Sequence, residues 1–356
     1  MRVLLVREMN FMKESWMSSA YISSVLANLD VTLHQRTPTG EVSVSEDILK
    51  GLRDRHPIIP LLLEYRSLVR LIGMANTCVK FVHPNTQAIH PEWLQTGVPT
   101  GRFRCKNPNL QAIPPELRSA FVARPGHWFL AADYDQIELR ILAACAGEAV
   151  LLDAFKAGQD PHAATASLML GVPLAKVTSE QRAIGKTLNY ATLYGTGVRG
   201  LSHRLGVPQE KAQELLKGYF AAVPQLTRFL QKLRGEAEVH GYVQSQWGRR
   251  RPLPEIHSNN PKIQAFGLRS AVNGFSQSTS ADIIKRAMIQ LAAALPSLKA
   301  EMLLTLHDAV LIEVPDTVPV EAAAAVVRRA MEMDFEGLQL TVTITTGPDW
   351  GSLASI

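Results

Sequence analysis

One segment of the chain repeats cationic and aromatic side chains every four residues. Residues 178–197 read TSEQRAIGKTLNYATLYGTG, and a helix there would carry four such side chains on one face, namely Arg182, Lys186, Tyr190 and Tyr194. Cationic groups bind phosphates and aromatic rings stack on bases, so this face suits a nucleotide. A solvated basic face above a core stripe of aromatic residues explains the same pattern equally well.

The ends of this helix are marked by capping residues. Thr178, followed three residues later by Gln181, is typical of a capping box at a helix start. Gly195 and Gly197 are typical of a helix end, because glycine readily adopts the left-handed conformation that ends many helices. We therefore predict one helix between these two signals.

Two aspartates each lie at the end of a strongly apolar run. Asp133 follows residues 128–132, which we predict to form a buried strand. His307 and Asp308 lie at the predicted tip of two apolar strands within residues 303–315. Each acid alone is better explained as a strand-end turn residue or cap. As a pair on neighbouring strands beside the cationic helix they favour a Mg²⁺ site, because Mg²⁺ prefers oxygen ligands.

The composition is that of an ordered globular protein. Of the 356 residues, 46% are hydrophobic and 19% are charged, which excludes a disordered chain. The net charge of +5 permits a nucleic-acid partner without requiring one. Cys78, Cys105 and Cys145 form no CxxC pair, which argues against a zinc site or a disulfide framework. No apolar run of membrane-spanning length or signal-peptide pattern is found, so we expect a cytoplasmic protein without a membrane partner.

The remaining patterns predict a largely helical chain. We expect a helix from Ser45 to near Pro57, a longer helix from about Ile59 to Val79, an irregular segment over 80–125, mostly helices over 150–245, a basic loop over 248–256 and a long helix over 263–294. The long helix carries Arg269, Asn273 and Gln277 on one side, suited either to minor-groove contacts or to an ordinary polar face. His162 is consistent with an anion contact or with a surface histidine.

Six separated segments resemble the motifs of one enzyme family. DYDQIELR (133–140), RAIGKTLNYATLYG (182–195) and LHDAVLIEVP (306–315) resemble, in order and spacing, the three polymerase motifs of family A DNA polymerases, the bacterial DNA polymerase I group. Three further segments also resemble that family: TGRFRCKNPNLQAIP (100–114), GRRRPLP (248–254) and RSAVNGFSQSTSADIIKRAM (269–288). The resemblance extends over roughly residues 36–350.

The resemblance implies an α+β fold shaped like a right hand, with an antiparallel palm sheet, helical fingers and a truncated helical thumb. A partial thumb would occupy residues 1–98, the palm 99–148 and 263–356, and the fingers 149–262. The implied activity is template-directed DNA polymerisation, in which a primer 3′-hydroxyl is extended with deoxynucleoside triphosphates (dNTPs). Primer–template DNA and dNTPs are the implied partners, and we expect a monomer.

The resemblance also assigns roles to single residues. Asp133, Asp308 and the Tyr134 carbonyl are the implied ligands of two Mg²⁺ ions, with Mn²⁺ as the alternative ion. Lys186 is implied to protonate the leaving pyrophosphate, and Glu138 to exclude a ribose 2′-hydroxyl. The residues implied to bind the nucleotide are Arg182, Lys186, Tyr190, Gln136, Glu138 and His162. The residues implied to contact DNA are Arg102, Asn109, Gln111, Tyr194, Gly195, Arg269, Asn273, Gln277 and His307.

Three positions depart from the family pattern. Ala309 follows the His307–Asp308 pair where the family usually has an acid, but two aspartates can still hold both ions, so we expect activity to survive. Asp135 stands where a small hydroxyl residue is common, and one hypothesis is that its charge compensates for Ala309. Tyr190 stands where phenylalanine is frequent, which predicts easier use of dideoxynucleotides than in a Tyr190→Phe variant.

The N-terminal part is shorter than the resemblance would require. Barely forty residues precede the thumb-like segment, and no acidic 3′–5′ exonuclease constellation is present in this chain. We therefore expect a weak grip on duplex DNA and low processivity, or a fragment that needs an upstream thumb, a processivity factor or a thumb-completing partner.

Two other functions stay open at this point. A single-subunit RNA polymerase relative would share the cations of the helix, although Glu138 argues against it. A catalytically weakened or inactive primer–template binding module would fit Ala309. The joint presence of the metal-ligand and triphosphate residues argues against that module, because it needs neither site.

Overall fold

The computed structural model describes residues 18–37 and 39–356, and the chain divides between residues 90 and 91 into two units. The first unit holds helices α1 (Ser19–Asn28), α2 (Glu46–Gly51) and α3 (Ile58–Lys80). Its core is formed by Ile22, Leu26, Val31, Val44, Leu49, Ile59 and Leu62. Residues 1–17 and 38 of the predicted partial thumb lie outside the described residues.

A five-stranded antiparallel sheet organises the second unit. In spatial order its strands are β11 (Ala354–Ser355), β10 (Val342–Gly347), β3 (His127–Tyr134), β7 (Ala309–Pro315) and β6 (Glu301–Leu306). The central strands bury Leu130, Ile312 and Val314 completely, as expected of strands rich in β-branched and aliphatic residues. The predicted α+β class with an antiparallel sheet is confirmed.

Helices surround this sheet, and all of them except the short α4 contribute side chains to its hydrophobic core. They are α4 (Pro115–Arg118), α5 (Ile137–Ala146), α6 (Ala149–Lys156), α7 (Pro161–Leu170), α8 (Ser179–Leu193), α9 (Val198–Leu205), α10 (Gln209–Ala222), α11 (Pro224–His240), α12 (Pro261–Ala294) and α13 (Val320–Met331). Short strands also form three two-stranded sheets. They pair β1 (Glu92–Leu94) with β2 (Arg104–Lys106), β4 (Tyr242–Gln244) with β5 (Arg250–Pro252), and β8 (Met333–Phe335) with β9 (Leu338–Leu340). The predicted long helix over 263–294 and the mostly helical stretch over 150–245 are confirmed.

One predicted helix end and one predicted irregular segment differ from the structure. The helix after Ser45 ends at Gly51 rather than near Pro57, because the Leu52 amide bonds back to the Leu49 carbonyl, three residues away, and closes the helix. The segment 80–125 is also less irregular than predicted, since it contains the β1–β2 pair and α4.

The basic segment 248–256 is a strand and a 3₁₀ turn rather than a loop. Gly248 has a φ of +90°, which allows the chain to turn back so that β5 pairs with β4. The Arg250 guanidinium then lies 4.7 Å from the ring centroid of Tyr242, so the charge that suggested a solvated loop is used in a cross-strand cation–π contact.

None of the helices in the described part of the chain combines the length and the apolar character needed to cross a membrane.

Candidate active site

Two aspartates meet at the edge of the sheet where β3 ends and β7 begins. Asp133 is the penultimate residue of β3, and its Cα pairs with that of Ala309, the first residue of β7. Asp308 directly precedes Ala309, and its carbonyl oxygen accepts a hydrogen bond from the Tyr134 amide at 3.2 Å. The predicted placement of both acids at the ends of neighbouring strands is therefore confirmed.

The negative charge of this carboxylate pair is unfavourable in the folded protein. Although solvent reaches Asp133, desolvation by the surrounding protein and then repulsion from Asp308 and Asp135 raise its pKa to about 6. Burial also raises the pKa of Asp308, while the nearby Arg102 guanidinium opposes that effect. A cation bound between the two carboxylates would relieve this repulsion.

The chemistry of the pair fits a hard divalent cation. Mg²⁺ is commonly held by one or two protein carboxylates, with water and substrate phosphates as its other ligands. Within residues 18–37 and 39–356, no group of three or more His, Cys, Asp or Glu side chains is gathered to hold a metal. Asp133 and Asp308 would therefore provide the carboxylate ligands, and Ala309 provides none.

Asp135 lies beside this pair, but its carboxylate is bonded elsewhere. Its two oxygens accept hydrogen bonds from the hydroxyls of Thr341 and Thr343, each at 2.6 Å. These bonds tie the end of β3 to β10. Asp135 thus acts on Asp133 through its charge, which raises the pKa of Asp133.

Helix α8 has the predicted ends. The Thr178 hydroxyl accepts a hydrogen bond from the Gln181 amide at 3.3 Å, and the Gln181 side chain accepts one from the Thr178 amide at 2.9 Å. The helix ends at Leu193, and Gly195 follows with a φ of +61°. The capping box and the glycine stop are both confirmed.

The aromatic end of the α8 face lies near the carboxylates. The Tyr190 ring stacks on that of Tyr194 with centroids 6.3 Å apart. Burial, together with the charges of Glu138 and Asp308, raises the pKa of Tyr190. The sheet and the helix therefore bring the aromatic rings and the metal-binding candidates into one site.

The cationic end of the same face lies beside α7. The Arg182 Nε atom is 2.5 Å from Asp160 Oδ2, and Lys186 is exposed to solvent. The ring of His162, in the first turn of α7, lies 5.7 Å from that of Tyr190. His162 is only 3% exposed, so the interpretation as a surface histidine is wrong; a hydrogen bond to Asn189 helps to satisfy its buried ring.

Several buried polar atoms near the carboxylates have no hydrogen-bond partner within the described residues. The Arg102 Nη2 atom lies 2.5 Å from Glu138 Oε1, which fixes both side chains. Arg102 Nε, Glu138 Oε2 and Gln136 Oε1 are buried and unpaired in the described part of the protein. Because buried polar atoms are normally hydrogen-bonded, these three are suited to contact a bound ligand.

The same region contains a cavity of about 1070 Å³. Its lining includes Asp133, Tyr134, Gln136, Asp160 and His307. This volume suffices for a ligand of nucleotide size beside the carboxylates.

The predicted DNA-contacting residues of α12 form a separate group. Arg269 is exposed, and Asn273 and Gln277 follow on the same side of the helix, half-buried. A Cβ atom at Gly195 would lie 2.6 Å from Arg269 Cγ, so this glycine lets the end of α8 approach α12 closely.

Two other residues predicted to contact DNA make hydrogen bonds within the protein. Asn109 caps a short 3₁₀ turn by accepting a bond from the Gln111 amide at 3.2 Å. The Gln111 side chain accepts from the Cys105 amide at 3.2 Å and donates to the Thr305 carbonyl at 3.1 Å. Gln111 therefore links β2 to β6, the strand that leads into the His307–Asp308 turn.

A buried polar cluster behind the cationic face of α8 was not predicted from the sequence. Thr165 and Asn189 are completely buried and contact each other, and Asn189 also contacts His162. The available signal was the position of Asn189, next to Leu188 on the buried side of an amphipathic helix, where a polar residue needs partners.

The sequence of this chain is similar to those of one known protein family. The model of the family described as DNA polymerase family A matches residues 7–352. DNA polymerase I of Deinococcus radiodurans is 40% identical over 320 residues, which cover 88% of this chain and 33% of that protein. The thermostable DNA polymerase I of Thermus thermophilus is 38% identical over 323 residues, which cover 88% of this chain and 38% of that protein. The chain thus spans little more than a third of the length of these relatives.

A solved structure is similar over most of the chain. It is the POL domain of Pol1 from M. smegmatis in complex with DNA primer–template and dNTP. It shares 32% sequence identity and superposes with a TM-score of 0.87, over 95% of this chain and 61% of that one.

Proposed function

We propose that this chain, which belongs to DNA polymerase family A, is a template-directed DNA polymerase that extends a primer 3′-hydroxyl with dNTPs. One observation carries the proposal. The cavity lined by Asp133 and His307 extends to Asp160, whose carboxylate binds Arg182 on the cationic helix α8. A site with phosphate-binding cations, stacking rings and metal-binding acids side by side suits nucleotidyl transfer.

We further propose the hand-like subdivision, with a thumb in residues 1–98, a palm in 99–148 and 263–356, and fingers in 149–262. Supporting it, the five-stranded sheet takes its strands from the two palm segments, and α6 to α11 lie in the fingers segment.

Asp133 and Asp308, with the Tyr134 carbonyl, would hold two divalent cations, Mg²⁺ or Mn²⁺. When bound, these ions would lower the pKa of the primer 3′-hydroxyl and neutralise charge on the triphosphate. The protein's part is to hold both carboxylates at strand ends, in an environment that already disfavours their unpaired charge.

The nucleotide would lie with its triphosphate toward the cationic end of α8. Arg182 and Lys186 bind phosphate oxygens, and Lys186 donates a proton to the leaving pyrophosphate. The Tyr190 ring flanks the sugar. Glu138, held by Arg102, blocks the space that a ribose 2′-hydroxyl would need. Gln136, whose buried Oε1 has no hydrogen-bond partner among the described residues, lines the cavity beside Asp133.

Primer–template DNA would be held by residues on several elements. Tyr194 and Gly195 flank the templating base, and His307 lies near the primer end. The remaining proposed contacts, to the duplex, come from Arg102, Asn109, Gln111, Arg269, Asn273 and Gln277. Contacts of this type in the minor groove are largely independent of sequence, as a polymerase requires.

The proposed function can be tested by primer extension with Mg²⁺ and four dNTPs. The wild-type chain should extend the primer, Asp308→Asn should lose at least about 100-fold in rate, and Asp316→Asn should keep wild-type activity. Asp316 is an exposed aspartate at the opposite end of β7 and serves as the matched control. A chain that binds primer–template but never extends it, with Mg²⁺ or Mn²⁺, would instead be a binding module.

A further inference from the structure

Three buried polar side chains meet where α7 packs against α8. His162 and Thr165 lie on α7 and Asn189 lies on α8, and none is more than 3% exposed. The Asn189 Nδ2 atom lies 3.0 Å from His162 Nδ1 and 3.2 Å from Thr165 Oγ1. The Thr165 hydroxyl donates to the Pro161 carbonyl at 2.8 Å, closer than its 3.3 Å distance to Asn189 Oδ1, so it accepts from the amide nitrogen.

In the structure the Asn189 amide is oriented with its nitrogen toward His162 Nδ1, and this orientation sets which ring nitrogen carries the proton. An amide nitrogen can only donate, so His162 Nδ1 accepts and is unprotonated. The proton of the neutral ring then resides on Nε2. Within the described part of the chain, Nε2 makes no hydrogen bond of its own.

The surroundings of the ring are cationic. Arg182 and Lys186, both on α8, act on His162, while Asp160 at the start of its own helix acts in the opposite sense. The uncharged Tyr190 ring packs on the remaining side. Burial and the two cations lower the pKa of His162 to about 4, so the ring stays neutral at physiological pH.

We propose that Asn189 is a positioning residue that holds His162 as the Nε2–H tautomer, so that the ring donates a hydrogen bond to the triphosphate of the incoming nucleotide. This inference rests on the proposed polymerase function. The opposite tautomer would direct a lone pair at the phosphate oxygens and repel them. Asn189, which touches no part of the nucleotide in this account, would thereby determine whether His162 attracts or repels it.

The tautomer can be measured directly, without catalysis. Ring ¹⁵N spectra of the nucleotide-free chain, with the His162 signals assigned by their loss in His162→Gln, should show a protonated Nε2 and a bare Nδ1 near neutral pH. A protonated Nδ1 in the wild-type chain would overturn the proposal. Failure of the polymerase function leaves this readout intact, so the two failures are distinguishable.

The consequence for binding is tested with Asn189→Asp. In this variant a carboxylate replaces the amide and accepts a hydrogen bond from Nδ1–H of His162. Nε2 then carries a proton only when the ring is doubly protonated, so the variant should bind a dNTP normally only in that state. As the pH rises and Nε2 loses its proton, the Kd for a dNTP in a complex with 3′-dideoxy-terminated primer–template should rise about tenfold. The wild-type Kd should show no such dependence over the same range.

A double-mutant cycle separates positioning from a purely structural role. In a His162→Ala background, Asn189→Asp should have no further effect on the Kd for the dNTP, because the group on which it acts is gone. Equal weakening by Asn189→Asp in both backgrounds would overturn the proposal. Unchanged primer–template affinity and an unchanged thermal unfolding midpoint would show that the variants are folded.

Discussion

Arg182 is paired with an anionic side chain of the protein itself. Asp160 accepts hydrogen bonds from the His162 and Ala163 amides, and its second oxygen binds the Arg182 guanidinium. A triphosphate would have to displace this carboxylate from Arg182. With side-chain exposures of 46% and 33%, the pair contributes only about 0–1 kcal/mol, which is small enough to be exchanged.

We expect Asp160→Asn to tighten dNTP binding. Asparagine keeps the helix cap but removes the charge that competes for Arg182, so the Kd for a dNTP should fall by up to about fivefold. Asp153→Asn, at an exposed position on α6, is the control for a simple change in net charge. A higher Kd in Asp160→Asn would mean that Asp160 orients Arg182 rather than competing with the phosphates.

Burial of neutral His162 makes stability depend on pH. The folded-state pKa of about 4 lies below the ordinary value of 6.5, so the unfolded chain binds a proton more readily. Stability from this residue is therefore complete above about pH 6.5 and is lost progressively as the pH falls toward 4.

Between about pH 7 and pH 5, the unfolding free energy of the wild-type chain should fall by about 2 kcal/mol more than that of His162→Gln. Denaturant unfolding of both chains at the two pH values measures this difference and cancels the contributions of other groups. A constant difference between the two chains would contradict the assignment of a neutral, protonation-resistant His162.

The sequence predicts a functional residue most clearly where a charged side chain adjoins an apolar run. Asp133 and Asp308 are notable because each acid adjoins an apolar strand. The partners of Asn189 and Asp160 could not be predicted, because these contacts join residues 22 to 27 positions apart and depend on the packing of α7 against α8.

At the scale of elements, α7 and α8 are closely packed against each other. Gly185 lies in the middle of α8, and a Cβ atom there would lie 2.2 Å from the His162 carbonyl oxygen and 3.2 Å from Ala166 Cβ. Only glycine permits this approach without moving the helices apart. The approach in turn allows the contact between Asn189 and His162.

Gly185→Ala should therefore destabilise the protein, although alanine favours helices. We expect a loss of about 1–3 kcal/mol from overpacking, together with weaker dNTP binding. Gly218→Ala in α10 is the matched control, since a Cβ atom there meets nothing within 4 Å and should stabilise by about 0.5–1 kcal/mol. Urea unfolding of the two variants should show opposite signs; equal effects would contradict the close packing.

The elements that could be predicted are those whose signals are local. The capping box of α8 and the apolar runs of β3, β6 and β7 lie within short segments. The pairing of β4 with β5 was missed because Arg250 and its neighbours read as a solvated basic segment until the contact with Tyr242 is known.

At the scale of the molecule, the site is assembled from segments that are far apart in the sequence. Strand pairing places Asp133 opposite Ala309, and Gln111 donates to the Thr305 carbonyl across 194 positions. Composition and periodicity alone do not specify such long-range pairing. The motif resemblance led to the same fold class, which the similarity to DNA polymerase family A confirms.

The central claim is that this assembly performs template-directed nucleotidyl transfer. The most direct measurement is single-turnover addition of one nucleotide to a labelled primer, with each of the four dNTPs supplied separately opposite each of the four template bases. The account predicts addition of the complementary dNTP in every case, and loss of addition in Asp308→Asn but not in Asp316→Asn. No addition, or addition irrespective of the template base, would contradict it.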